Sequence, residues 1–283
     1  MMISIITFSL AAAFLLTLAF EALTAAMCTR CSMNSARDEH ASPRRPRPAL
    51  ALGLLSAIGI LWVWAPRAIH GAGGGAAALA EGPNLIIAML GGIPLYIAGL
   101  ETDARRPRSE RHLAATLIGG LILCFSDFRI NYIGIPGLGV FSLPAVAGGA
   151  LTILWVFLVV SIVEVAGLLP LLSGLIALAI GGLGCIPGLG RPTASGYALS
   201  GILAGAALAR GVGGLVFSSG RSLEKAEILT LGYVCAVTTL ATFMKSVALA
   251  GVILPLSLVT IVLILILMHG FEETILLRAK PRD

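Results

Sequence analysis

Nine apolar stretches of spanning length divide this chain, at about residues 3–27, 48–65, 84–100, 113–126, 141–163, 168–188, 196–217, 228–244 and 247–268. A helix needs about 20 predominantly apolar residues to cross a bilayer core. The runs are continuous and lack the period-two alternation of a barrel strand. Lipid offers no partner to a backbone N–H, so such runs must close their hydrogen bonds internally, as helices do. Only 12% of the 283 residues are charged and the mean hydropathy is +0.99, against roughly a quarter charged in soluble domains. The expectation is one all-α polytopic integral membrane domain over residues 1–283, with about nine transmembrane helices. The connections leave no room for a soluble domain, and no internal repeat is visible. The first stretch has no basic start and is too long for a cleaved secretory signal, so it reads as an anchor.

Arginine and lysine set the expected orientation. Counting connections alternately, one side holds Arg30, Arg37, Arg44, Arg45, Arg47, Arg105, Arg106, Arg108, Arg111, Arg221, Lys225, Arg278, Lys280 and Arg282. The other holds Arg67, Arg129, Arg191 and Lys245. Fourteen against four places the first set in the cytoplasm by the positive-inside rule, with the N-terminus outside and the C-terminus inside. The formal net charge of +5 is then a matter of topology and anionic headgroups, and calls for no nucleic acid.

Several features read as packing rather than chemistry. Cys28 and Cys31 have CxxC spacing, but a single pair does not complete a four-ligand zinc site. Cys124, Cys185 and Cys235 fall in or near apolar stretches as small packing residues. The glycines from Gly201 to Gly205 and from Gly181 to Gly188 predict close helix contacts. Gly71–Gly75 lacks the Lys-Ser of a phosphate loop. Arg210 lies deep in the seventh stretch, where a charge costs roughly 2.5–3.5 kcal/mol on the insertion scale, so it must face a partner, a cavity or the interface.

The basic connections carry the chemistry. Residues 40–48 read His40-Ala-Ser-Pro43-Arg44-Arg45-Pro46-Arg47-Pro48, a stiff basic segment suited to a juxtamembrane charge patch or to bidentate phosphate contacts. The next connection on that side, Gly99-Leu100-Glu101-Thr102-Asp103 followed by Arg105, Arg106, Arg108 and Arg111, sets carboxylates at a helix end beside arginines. Carboxylates can hold a divalent metal and arginines a phosphate, although a solvated charge run has the same composition. Further on come Phe217-Ser-Ser-Gly220-Arg221 with Leu231-Gly232-Tyr233, and His269-Gly-Phe-Glu-Glu273-Thr274.

In order and spacing, these four segments resemble the polyprenyl-phosphate N-acetylhexosamine-1-phosphate transferases, the membrane phosphoglycosyltransferases that begin peptidoglycan-lipid and O-antigen synthesis. The resemblance covers about residues 40 to 275. It implies a bacterial inner-membrane enzyme of cell-wall or lipopolysaccharide biogenesis. Such an enzyme moves a sugar 1-phosphate from a UDP-sugar to polyprenyl phosphate on the cytoplasmic face, with Mg²⁺ between the phosphates. Carried onto this chain, it makes Asp103 a metal ligand or base, and Glu101 and Glu164 substitutes for missing catalytic acids. Arg44, Arg45, Arg47 and Arg221 become phosphate contacts, and Glu224 or Glu227 further metal ligands. A homo-oligomer is an admissible assembly.

The chain departs from the family at defined positions. Thr102 replaces the first residue of an Asp-Asp pair. Val160, Val163 and Ala166 stand where the resemblance implies two asparagines and an aspartate. Residues 223–227 contain no Gly-Asp, and a His-rich final loop is expected to be missing. Valine and alanine offer no oxygen to a cation that demands several. Without the metal, a diphosphate beside Glu101, Asp103, Glu164, Glu224 and Glu227 would oppose like charges, at about 1 kcal/mol per close pair even in water. Two alternatives therefore stand beside the transferase: a non-catalytic relative that binds lipid phosphate or a partner glycosyltransferase, and a small transporter. The third is disfavoured because the stretch centres offer almost no polar path apart from Arg210.

Overall fold

A computed structural model describes residues 2–35, 49–70, 75–104, 109–135, 139–167, 170–186, 194–216 and 224–242. Helix accounts for 88% of them. The elements are α1 (Met2–Ser35), α2 (Ala49–His70), α3 (Gly75–Ala104), α4 (Ser109–Leu123), β1 (Tyr132–Ile135), β2 (Gly139–Ser142), α5 (Ala145–Ala166), α6 (Pro170–Cys185), α7 (Ala194–Val216) and α8 (Lys225–Thr242). Three segments, Ile5–Leu23 in α1, Asn84–Glu101 in α3 and Ala145–Ala166 in α5, are long and apolar enough to cross a membrane. The stretch at 247–268 lies outside the described residues.

α8 is the central helix: residues 226–242 are all buried, with α3 and α5 packed against it and α7 and α1 beyond. α5 shows why a membrane suits the fold. It buries Trp155, Val156, Val160 and Val163, yet also leaves Val146, Leu154 and Phe157 exposed. An apolar surface on every side suits a helix that packs inward and faces lipid outward. Small residues let the helices approach. A Cβ on Gly205 would lie 2.3 Å from the Leu10 carbonyl oxygen, and one on Gly201 would lie 2.1 Å from Ser9 Oγ. The close contact expected of this glycine pair is therefore present, and it joins α7 to α1. Two buried hydroxyls of α8 are satisfied locally: Thr238 donates to the Val234 carbonyl at 2.7 Å and Thr242 to that of Thr238 at 2.6 Å, the usual helix back-bond.

A β-hairpin between α4 and α5 was not among the expectations, which placed a helix over 141–163. β1 and β2 pair antiparallel, from Tyr132 opposite Ser142 to Ile135 opposite Gly139, and Gly139 takes the positive φ of 96° that glycine tolerates. α5 begins only after Pro144, which is extended at φ −55° and ψ 149°. Val140 and Phe141 belong to the hairpin, but being apolar they are indistinguishable in sequence from the helix that follows.

The hairpin end is fastened by neutral and mixed hydrogen bonds. The Asn84 amide donates to Asp127 Oδ2 at 3.0 Å and accepts the Asp127 N–H at 3.1 Å. The Ile130 N–H donates to Thr152 Oγ1 at 3.0 Å. The Leu143 N–H donates to the Asn131 carbonyl at 2.8 Å.

Candidate functional site

The opposite end of the bundle gathers charge. Successive helices reverse direction, so the C-terminal parts of α1, α3, α5 and α7 meet the N-terminal parts of α2, α4 and α8. The closest approach is at Gly99, where a Cβ would lie 2.2 Å from Ala226 Cα and 2.6 Å from its nitrogen. That glycine opens the segment Gly99-Leu100-Glu101-Thr102-Asp103, so its absent side chain lets the acidic end of α3 lie on the start of α8. Sequence reasoning noted Gly99 only as part of a motif; its packing role needed the partner helix.

Glu227 lies at the centre, 2% exposed. Its Oε1 accepts the Leu50 N–H at 3.0 Å, and its Oε2 accepts the Glu224 N–H at 3.2 Å. Leu50 is the second residue of α2 and Glu224 directly precedes α8. One carboxylate thus satisfies first-turn donors of two helices and sits at the positive ends of both dipoles. Within α8 this is the glutamate half of a capping box. Residue 227 falls just before the apolar stretch that starts at 228. Burial pushes its carboxyl up to about 7, against the opposing pull of the Arg210 charge and the two N–H donors.

Four more acids and their partners surround it. Lys225 Nζ donates to Glu164 Oε1 at 2.7 Å, and His112 Nδ1 lies 3.7 Å from the same oxygen. Arg111 on α4 pairs with Glu101 on α3, both side chains half exposed. Deeper in the bundle, Arg210 donates to the buried Glu21 at 2.8 Å, tying α7 to α1. The partner required for Arg210 is therefore Glu21, a residue to which sequence reasoning gave no role. The available signal was that the chain puts an acid and a base in apolar stretches otherwise nearly bare of charge. Glu224 stands at the start of α8, half-buried.

The structure thus places Glu101, Glu164, Glu224 and Glu227 at one end of the bundle. Asp103 lies on the last turn of α3, with its side chain outside the described residues, and Arg44, Arg45, Arg47 and Arg221 are also outside them. Among the described residues, no three His, Cys, Asp or Glu side chains are grouped to hold a metal ion.

Val160, Val163 and Ala166 are 3%, 0% and 1% exposed. A Cβ on Gly232 of α8 would lie 3.0 Å from Val160 Cα and 3.3 Å from Val163 Cβ, so this face of α5 is a packed helix contact. No protein-family model matches the chain, and no curated protein matches it.

Proposed function

We propose that this chain is a membrane protein of phosphoglycosyltransferase-like scaffold that binds polyprenyl phosphate without transferring a sugar phosphate to it. The observation that carries the reading is the burial of Val160, Val163 and Ala166, the two valines against Gly232 of α8. Where the resemblance implies oxygen and nitrogen ligands for a metal and a nucleotide sugar, this chain has buried apolar side chains.

The described acids support the same conclusion. Glu164 and Glu227 are engaged by Lys225 and by two helix N-termini. Mg²⁺ needs several oxygens converging on one point, and this set does not fit it. In this reading the chain crosses a bacterial inner membrane about nine times, with the charged end cytoplasmic. Arg44, Arg45 and Arg47 supply the lipid-phosphate contacts, because guanidinium binds phosphate bidentately and needs no metal.

A second reading, retained transfer from a UDP-sugar, is favoured by one observation: Glu101, Glu164, Glu224 and Glu227 share an end with the turn of α3 that carries Asp103. One experiment separates the two. Polyprenyl phosphate at a hundredfold excess over its dissociation constant should stabilise the purified protein by about 2.7 kcal/mol, with or without chelator. Replacing Arg44, Arg45 and Arg47 by glutamine should remove the shift, and Asp103→Asn should leave it. Chelator-sensitive stabilisation, or UMP release from any of a panel of UDP-sugars with loss in Asp103→Asn, would restore the transferase reading.

A further inference from the structure

Between α3 and α4 runs an apolar groove of ≈370 Å³ on the outer surface of the bundle. That volume lies in the range of small-molecule sites, roughly 300–1,000 Å³. Its walls are Ile93, Pro94 and Ile97 from α3 and Ala114, Ala115 and Ile118 from α4. The two alanines are too short to fill the space between the helices, which leaves the depression. The flanking surface is aliphatic: Leu90, Leu113, Leu117 and Leu121 are all exposed. α3 contains one of the segments able to cross a membrane, so a hydrocarbon chain is the natural filling.

Glu101 and Arg111 line one end of this groove. They pair with each other, yet their side chains remain 53% and 50% exposed. The recorded contact uses one guanidinium nitrogen and Glu101 Oε2. A guanidinium carries five N–H donors and a carboxylate two oxygens, so both groups keep capacity for a ligand without separating. The groove therefore presents an apolar channel headed by one donor cation and one acceptor anion side by side.

We propose that this groove is a binding site for a bilayer phospholipid whose headgroup carries both a phosphate and a primary ammonium. One acyl chain lies along Ile93, Ile97 and Ile118, the phosphate accepts from Arg111, and the ammonium donates to Glu101. Charge complementarity selects this class. A headgroup with phosphate alone meets the cation but also faces the carboxylate. A quaternary ammonium has no N–H to give to Glu101. Basic recesses between membrane helices bind anionic headgroups; here the adjacent acid changes the preference to a zwitterion. The inference concerns the lipid-facing side of α3 and α4 and does not rest on the polyprenyl-phosphate reading.

The test uses the full-length protein, stripped of lipid in detergent and offered equimolar phosphatidylethanolamine, phosphatidylglycerol and phosphatidylcholine of matched chains, with retained lipid counted by native mass spectrometry. One phosphatidylethanolamine should be retained about fivefold over either competitor, the scale of a half-exposed ionic contact. Arg111→Gln and Glu101→Gln should each remove that preference. Ile97→Trp, which fills the channel, should lower retention of phosphatidylethanolamine. Lipid-free thermal midpoints of the variants confirm that each is folded before the comparison. Equal retention of the three lipids, preference for phosphatidylglycerol, a preference that survives both charge substitutions, or displacement by equimolar polyprenyl phosphate would each overturn the assignment.

Discussion

At one end of the bundle, a buried glutamate receives N–H groups from two helix starts while ion pairs join α1 to α7, α3 to α4 and α5 to α8. At the other end, the Asn84 amide joins α3 to the α4–α5 connection, the Thr152 hydroxyl joins that connection to α5, and a four-residue-strand hairpin lies within it. The same helices are thus fastened by salt-sensitive, pH-sensitive contacts at one end and mainly by uncharged donors and acceptors at the other. An ion pair at a half-exposed surface contributes about 0–1 kcal/mol, so the charged end holds more electrostatic machinery than stability demands. That excess is why the charged end is the candidate site and the hairpin end is not.

The sharpest way to break this comparison is a labelling experiment with an all-or-none outcome. On a background in which the native cysteines are replaced by alanine, Glu110→Cys and Val140→Cys should react with a membrane-impermeant maleimide from opposite faces of sealed vesicles. Both positions are exposed. Reaction of both from the same face would dissolve the distinction between the ends and, with it, the cytoplasmic orientation proposed for the charged one.

Next in size is Glu227→Ala, which removes the acceptor shared by two helix-start N–H groups, one buried and one part-buried. A lost helix cap costs about 0.5–2 kcal/mol, so two should cost about 1–4 kcal/mol, read as a lower unfolding midpoint in detergent. The same residue carries a pH signature. Its carboxyl is raised in the folded protein from an ordinary 4.5 to about 7, so the folded state binds its proton more tightly than the unfolded state does. The corresponding stability is complete below pH 4.5 and is lost as pH rises through 7. Glu227→Gln should flatten the thermal midpoint across that interval; an unchanged slope would assign the dependence to other groups.

At the hairpin end, Asn84→Ala removes two hydrogen bonds and should cost about 1–3 kcal/mol, with little dependence on ionic strength. The smallest effect belongs to Lys225→Gln. Its pair with Glu164 is partly exposed, so the loss should stay under about 1 kcal/mol and fade as salt is raised. A salt-dependent Asn84 variant beside a salt-independent Lys225 variant would reverse the contrast between the two ends.

Much of the helical architecture was legible because hydropathy reports burial in protein or lipid without needing to know the partner. Most of α5 follows from the apolar run at 141–163, and a close helix contact from Gly201 and Gly205, although not that its partner is α1. The hairpin was hidden for a physical reason: four-residue strands containing Val140 and Phe141 are too short to establish a period, and they merge with an apolar helix. The candidate site was legible only as composition. Glu227 stands three residues after Glu224 at the head of an apolar run, which is a capping pattern. Its second acceptor role, toward Leu50, depends on a contact between residues 177 apart. The Glu21–Arg210 pair spans 189 residues, and no local pattern encodes it. Glu101, Glu164 and Glu227 were read as candidate catalytic or metal-binding acids, but sequence could not tell that each already has a donor.

The Glu227 bridge also sets an order of events during synthesis. α2 leaves the ribosome long before α8, so the Leu50 N–H waits for its carboxylate until nearly the whole described chain has been made. Until then the start of α2 lacks that acceptor. Arrival of α8 completes that start and its own in one step. The contact therefore acts as a completion mark: a nascent chain that stalls before Lys225 cannot acquire it, and remains distinguishable from the finished fold to any protease that probes frayed helix ends.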